Sequence, residues 1–172
     1  MRQIGIEPER IFTPDIDETP RRAESPRAYA LRMAVEKLGG LPTATPGFAL
    51  AADTVVAAGT RILPKTETAA QARQCLTLLA GRRHRVYTAI AIRAPGGKTA
   101  TRTAAAVVGF ARLDESAIDA YLACGEWSGK AGGYAIQGRA ASFIDFVSGS
   151  YSAVVGLPLY ETTTLLRGLG WR

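Results

Sequence analysis

The sequence predicts an α/β fold built on a mixed, twisted sheet with flanking helices. Three observations carry that expectation. Segments of strand character alternate with segments of helical periodicity along all 172 residues. Two β-rich stretches, His84–Arg93 and Thr99–Phe110, flank the turn signal Pro95-Gly96-Gly97 and read as one central hairpin. The apolar run Phe48–Ala58 reads as a buried strand with a carboxylate, Asp53, in its interior.

Residues 1–24 are polar and turn-rich, with Pro8, Pro14 and Pro20. Asp15, Asp17 and Glu18 crowd one short stretch there. They read either as a solvated loop or as a rim that lends a carboxylate to a divalent cation. Ser25 and Pro26 then open a helix as N-cap and first residue. Leu31, Val35 and Leu38 share a face of it, and Gly39-Gly40 ends it. Lys37 lies in its last turn, where it complements the helix dipole or answers a more local need.

The Asp53 strand follows. A carboxylate inside an apolar run is costly unless a partner, a metal or a pocket compensates it. The plainer alternative is an aspartate that closes a strand and caps a turn. Thr54 beside it is also polar, and Lys65 comes on the next short segment. Thr66 or Thr68 starts a second helix, with Ala72, Leu76 and Leu79 inward and Gly81 at its end. After the hairpin, Asp114 caps a third helix, with Ile118, Tyr121 and Leu122 apolar and Gly125 at its end. The glycine-rich segment Gly129–Gly138 lets backbone approach a ligand closely, but its spacing matches neither a P-loop nor a dinucleotide fingerprint. Ala141–Val147 reads as a further strand and Gly149–Gly156 as a glycine-bounded segment. The last helix starts near Pro158 and is expected to bury Tyr160, Leu165 and Leu166.

Composition narrows the function. The net charge of +6 points weakly to anionic partners. The arginines are spread out, and the short cluster Arg82–Arg85 has only Tyr87 as a nearby aromatic, so a nucleic-acid partner is not expected. Of 21 basic residues only four are lysine: Lys37, Lys65, Lys98 and Lys130. Arginine supplies generic charge here, so a lysine asks for a local reason, such as approach to a phosphate as a point charge. Lys98 lies in the hairpin turn and needs none. His84 is the one histidine, which disfavours zinc and Ser-His-Asp chemistry. No apolar stretch reaches the roughly 18 residues of a membrane span, and no membrane partner is expected. The first residues lack the apolar core of a signal peptide. Cys75 and Cys124 show neither metal spacing nor a disulfide framework, which fits a reducing cytoplasm.

Five segments occur in one order: Ala52-Asp-Thr-Val-Val56, Leu63-Pro-Lys65, Leu79–Thr88, Lys130–Gly138 and Gly149–Pro158. That series resembles the Maf-like nucleoside triphosphate pyrophosphatases, over about Gly5 to the C-terminus. The resemblance implies a single ITPase-like domain over residues 1–172, with two lobes around a cleft. It implies hydrolysis of a nucleoside triphosphate to a monophosphate and pyrophosphate, with a divalent cation, Mg²⁺ or Mn²⁺. By motif, Asp53 corresponds to the catalytic base, Lys37 to the lysine before that strand, and Lys65 to the lysine of a Leu-Gly-Lys-Pro pattern that here reads Leu-Pro-Lys-Thr. Glu18 corresponds to an acidic residue that joins Asp53 at the metal. Gln137 in Tyr-Ala-Ile-Gln-Gly resembles the dTTP/UTP branch, and Thr54 stands as a second specificity contact. An amide offers a donor and an acceptor together, which suits the N3–H and O4 edge of uracil or thymine. A cytoplasmic homodimer is expected, and so is a role in cleansing nucleotide pools, of modified pyrimidines among others. The alternative is a non-catalytic nucleotide-binding regulator of cell division.

The family's Ser-x-Ser-Pro-Arg-Arg loop is not among these residues, because Pro20-Arg21-Arg22 follows the Asp-Glu segment where that motif would precede it. Without the loop, the 172-residue chain is expected to bind nucleotide but to hydrolyse it weakly or not at all, to have an uncovered sheet edge or groove, and to show lowered stability and some tendency to associate.

Overall fold

The computed structural model describes residues 1–42 and 46–172. Five strands, β1 (Ala49–Ala58), β2 (Arg61–Leu63), β3 (Arg83–Arg93), β4 (Thr99–Phe110) and β5 (Ile144–Ser148), form one sheet in the order β2-β1-β3-β4-β5. The helices are α1 (Pro26–Gly39), α2 (Ala69–Leu79), α3 (Glu115–Cys124), α4 (Tyr151–Val155) and α5 (Leu159–Gly168). The class is α/β, as the alternation predicts. Where the sequence suggests a mixed sheet, every described pairing is antiparallel. The reason is topological. β2 and β3 both run opposite to β1, so α2 joins two strands of like direction, but β1 lies between them. The parallel pair is therefore never adjacent.

Caps set the helix starts. The Ser25 hydroxyl accepts from the Ala28 amide, and Thr68 with Gln71 forms a capping box at α2. Asp114 accepts from the Ala117 amide at 2.8 Å and starts α3. The inner face of α1 is Tyr29, Ala30, Met33, Ala34 and Leu38, while Val35 is exposed. Ala30 and Ala34 lie in one core with Ala89 and Ala91 of β3. These small residues favour close helix–sheet approach; Leu31 packs at the margin of this core, and Val35 is left exposed.

Two further expectations shift in the same way. A short 3₁₀ helix (Arg139–Phe143) takes up the first part of the expected strand 141–147, and β5 begins only at Ile144. The Ser142 hydroxyl donates back to the Arg139 carbonyl at 2.8 Å, a local bond that favours the turn over the strand. In α5 the buried residues are Thr162 and Leu166, with Leu165 partly buried and Tyr160 exposed. The Thr162 hydroxyl donates to the Pro158 carbonyl at 2.8 Å, which satisfies it in the core and lets it replace a larger apolar residue.

The sheet has two differently covered faces. α1 packs on Ala49, Val55, Ala89 and Ala91. α2 and α3 bury Leu76, Leu79, Ile118 and Tyr121 with Val56, Val86, Val108 and Phe110 on the other face. Strand residues alternate between faces, so Asp53 falls on the α1 side and Thr54 on the opposite side.

His84 belongs to the second core. Its Nε2 is 2.8 Å from the Tyr134 hydroxyl, and its ring meets Phe110 edge-on with centroids 5.0 Å apart. Burial pushes its pKa down to about 4 from 6.5. The unfolded chain therefore takes up a proton near pH 6.5 that the folded chain refuses until about pH 4. Stability present above pH 6.5 is thus lost as the pH falls, by up to about 3 kcal/mol. Urea unfolding at pH 7 and pH 5 checks this window, which lies above the ordinary carboxylate range. The wild type is expected to weaken at pH 5 and a His84→Phe variant to weaken much less. Equal slopes in the two proteins would contradict the assignment.

Candidate active site

Among the described residues, β2 pairs with β1 only over Val56–Ala58. The rest of that edge borders a cleft of about 260 Å³. Its walls are Lys37 from α1, Asp53 and Thr54 from β1, Lys65 after β2, the loop Gly129–Gln137, and Val154 and Val155 from α4. Asp53 and Thr54, from the two faces of β1, both line this cleft.

Four charged side chains meet on the α1 side. Asp53 is only 5% exposed. The Lys37 ammonium donates to Asp53 Oδ1 at 2.6 Å and lies 2.8 Å from Glu18 Oε1. The Lys65 ammonium lies 2.5 Å from Glu18 Oε2 and 3.7 Å from Asp53 Oδ1. Burial acts to lower the Lys37 pKa, but the hydrogen bonds and charges of Asp53 and Glu18 overcome it and push it up to about 12. Partial burial likewise opposes the Glu18 charge, and the hydrogen bonds from Lys37 and Lys65 outweigh it, holding its carboxyl below the ordinary value. Lys37 is therefore an ammonium ion and Glu18 a carboxylate at neutral pH.

Local structure explains each position. Lys37 projects from the last turn of α1, which packs directly over β1. Lys65 forms an isolated bridge with Ala131. Around it the Thr66 amide donates to the Lys130 carbonyl at 3.1 Å, and the Gly132 amide to the Pro64 carbonyl at 3.0 Å. These bonds stitch the lysine segment to the glycine-rich loop. Gly132 has φ +67°, and a Cβ there would lie 2.8 Å from Val56 Cγ1, so this loop reaches β1 only as glycine. Glu18 lies in a stretch with no helix or strand, and two α1 side chains hold it. The Tyr29 hydroxyl donates to the Glu18 carbonyl at 2.6 Å, and Arg32 donates to the Thr19 carbonyl at 3.0 Å. Arg32 is itself gripped by Glu24, whose hydrogen bond from Arg32 holds its carboxyl down at about 2.

The structure thus brings Asp53, Lys37, Lys65 and Glu18 together and places Thr54 and Gln137 on the same cleft. Thr54 Oγ1 is 3.0 Å from Thr88 Oγ1, and exposed Gln137 also lines an adjoining cavity with Glu126 and Lys130. Sequence reasoning passed over Tyr29 and Thr88. The one trace of Thr88 is a hydroxyl within the apolar part of β3, and Tyr29 carries no signal apart from the loop it holds.

Chemically, the cluster carries equal positive and negative charge. Such a cluster can exchange its internal ion pairs for an anion: a phosphate chain would compete for the two ammoniums and release the carboxylates. No group of three or more His, Cys, Asp or Glu that could hold a metal occurs among the described residues. Two carboxylates completed by phosphate oxygens are nevertheless a donor set that suits Mg²⁺, which keeps few protein ligands.

The sequence pattern of the family described as "Maf-like protein" matches residues 1–169. A protein of Caulobacter vibrioides named dTTP/UTP pyrophosphatase is 55% identical over 173 residues, covering 100% of this chain and 90% of that protein. Proteins of the same name from Mesorhizobium japonicum and Novosphingobium aromaticivorans are 55% and 51% identical, covering 100% and 99% of this chain and 86% and 85% of their own length. With a match over nearly its whole length and relatives above half identity, this chain belongs to the Maf-like protein family.

Proposed function

We propose that the chain is a nucleoside triphosphate pyrophosphatase that hydrolyses dTTP and UTP to the monophosphate and pyrophosphate. The observation that carries this reading is the buried Asp53 carboxylate held against two ammoniums and a second carboxylate on the wall of the cleft. The full-length relatives named for this activity support it. Asp53 takes the proton of a water that attacks the α-phosphorus, forming a P–O bond as the bond to the leaving pyrophosphate breaks. Lys37 and Lys65 turn from the carboxylates to phosphate oxygens and offset the charge that develops there. Glu18 and Asp53 would hold Mg²⁺ or Mn²⁺ with the phosphates, and a bound ion would add further charge neutralisation. The triphosphate lies on the α1 face with Asp53, and the base lies beyond Thr54 with Gln137.

A cytoplasmic homodimer belongs to the same reading. Cys75 and Cys124 are both free thiols, and no helix among the described residues is long and apolar enough to cross a membrane. Light scattering at the mass of one or two chains reads the oligomer directly.

The test is release of pyrophosphate from dTTP, UTP, dCTP and GTP by the wild type and by Gln137→Glu. The wild type is expected to prefer dTTP and UTP. The glutamate replaces an amide donor with an acceptor facing O4, so its kcat/KM is expected to fall about tenfold on those two and less on GTP. Nucleotide binding without turnover, both in this chain and in one extended by the Ser-x-Ser-Pro-Arg-Arg loop, would contradict the enzyme reading. An equal loss on every nucleotide would mean that Gln137 supports the loop and does not read the base.

A further inference from the structure

Thr54 and Thr88 are register partners on β1 and β3, and their hydroxyl oxygens lie 3.0 Å apart. Thr88 is fully buried, and its hydroxyl donates to the Ala153 carbonyl of α4 at 2.6 Å. A hydroxyl has one proton. The carbonyl brings none, so a contact that short commits the Thr88 proton to Ala153. The proton between the two threonines must then come from Thr54. Thr54 is left with lone pairs alone for the cleft it lines.

We infer that this ordered pair of hydroxyls makes Thr54 a hydrogen-bond acceptor toward the nucleobase, and that Thr88 is thereby a positioning residue for substrate selection. The inference rests on the reading of this cleft as a pyrimidine triphosphate site. A threonine hydroxyl free to rotate would donate or accept equally well and would select little. Held as an acceptor, it shares the ring N3–H of uracil or thymine with the Gln137 amide oxygen, while the Gln137 amide nitrogen serves O4. Cytosine presents an unprotonated N3 at the same place, and two lone pairs then face each other. Short α4 supplies the carbonyl that sets the direction. It is capped by the Ser150 hydroxyl, which accepts from the Ala153 amide at 3.2 Å, and Val154 and Val155 on the same turn line the cleft. Base selection is therefore built partly from a buried residue that touches no substrate.

The experiment measures kcat/KM for dTTP and dCTP in wild type, Thr88→Val, Thr88→Ser and Thr88→Ala. Thr88→Val keeps the shape but removes the proton that orders the pair, and the Thr54 hydroxyl becomes free to donate. The dTTP-to-dCTP ratio is expected to fall about tenfold in Thr88→Val, with a relative gain for dCTP, and to fall likewise in Thr88→Ala. Thr88→Ser restores the hydroxyl and is expected to keep the wild-type ratio. In a Thr54→Val background, Thr88→Val is expected to change the ratio by less than about twofold. A uniform loss on both nucleotides in the valine and alanine variants, or a ratio unchanged within about twofold, would overturn the inference, because a purely structural residue does not move a ratio. If Thr88→Val does not fold, Thr88→Ala against Thr88→Ser decides the question on its own. Failure to turn over dTTP both in this chain and in one extended by the Ser-x-Ser-Pro-Arg-Arg loop sinks the functional reading and this inference with it. Retained selectivity in the variants of an active enzyme sinks this inference alone.

Discussion

Asp53→Asn is expected to lower kcat for dTTP by about 10²–10⁴-fold, the usual cost of losing a positioned base. The asparagine keeps the shape and the place in β1, but its amide cannot take a proton from water. The fold should tolerate the change. Lys37 keeps Glu18 at 2.8 Å, and a side chain only 5% exposed loses a charge that was costly to bury. Steady-state turnover and thermal melting measured together check this. The expected pattern is a large loss of rate with a melting midpoint within a few degrees of wild type. A variant that keeps most of its turnover would remove Asp53 from the role of base.

Lys37→Met acts on stability and rate at once. Methionine keeps much of the stem and removes the ammonium that joins Asp53 at 2.6 Å to Glu18 at 2.8 Å. Lys65 remains, but it is 3.7 Å from Asp53 and more exposed than Lys37. Asp53 is then a buried carboxylate with one distant partner, beside a second carboxylate. Removing one partner of a buried pair typically costs about 3–5 kcal/mol, and the remaining lysine places this case toward the lower end. The same change removes a donor aimed at the phosphate chain, with an expected loss of about 10²–10³-fold in kcat. Urea unfolding and turnover check the two effects separately. A stable, active Lys37→Met protein would show that the pair neither supports the fold nor serves the reaction.

Much of this site was legible from residue chemistry. Asp53 stood out because a carboxylate inside Phe48–Ala58 needs compensation, and the structure supplies it as Lys37 and Lys65. Those lysines stood out because this chain otherwise uses arginine for positive charge. Glu18 was only one of three loop carboxylates until the resemblance distinguished it. Its place depends on the Tyr29 hydroxyl and Arg32, contacts across a helix and a loop that no periodicity encodes. Caps and glycines located the helix ends well because they act within a few residues. The inner faces of α1 and α5 follow the apolar spacing only in part: Leu38 and Leu166 are buried, but Val35 and Tyr160 are exposed. Alanines in α1 and a self-satisfied threonine in α5 took those places instead. Sheet order was out of reach for a related reason, since nothing local places β1 between β2 and β3. Thr88 was hidden because its importance lies in which way one proton points.

Hydrolysis of dTTP in ¹⁸O-water tests the central claim most directly, because it reports which phosphorus the water attacks. Mass spectrometry of the products after a single turnover is the readout. Attack at the α-phosphorus, beside Asp53 and the lysines, places one ¹⁸O in dTMP and none in pyrophosphate. Label in pyrophosphate with unlabelled dTMP, or inorganic phosphate and dTDP as products, would contradict it.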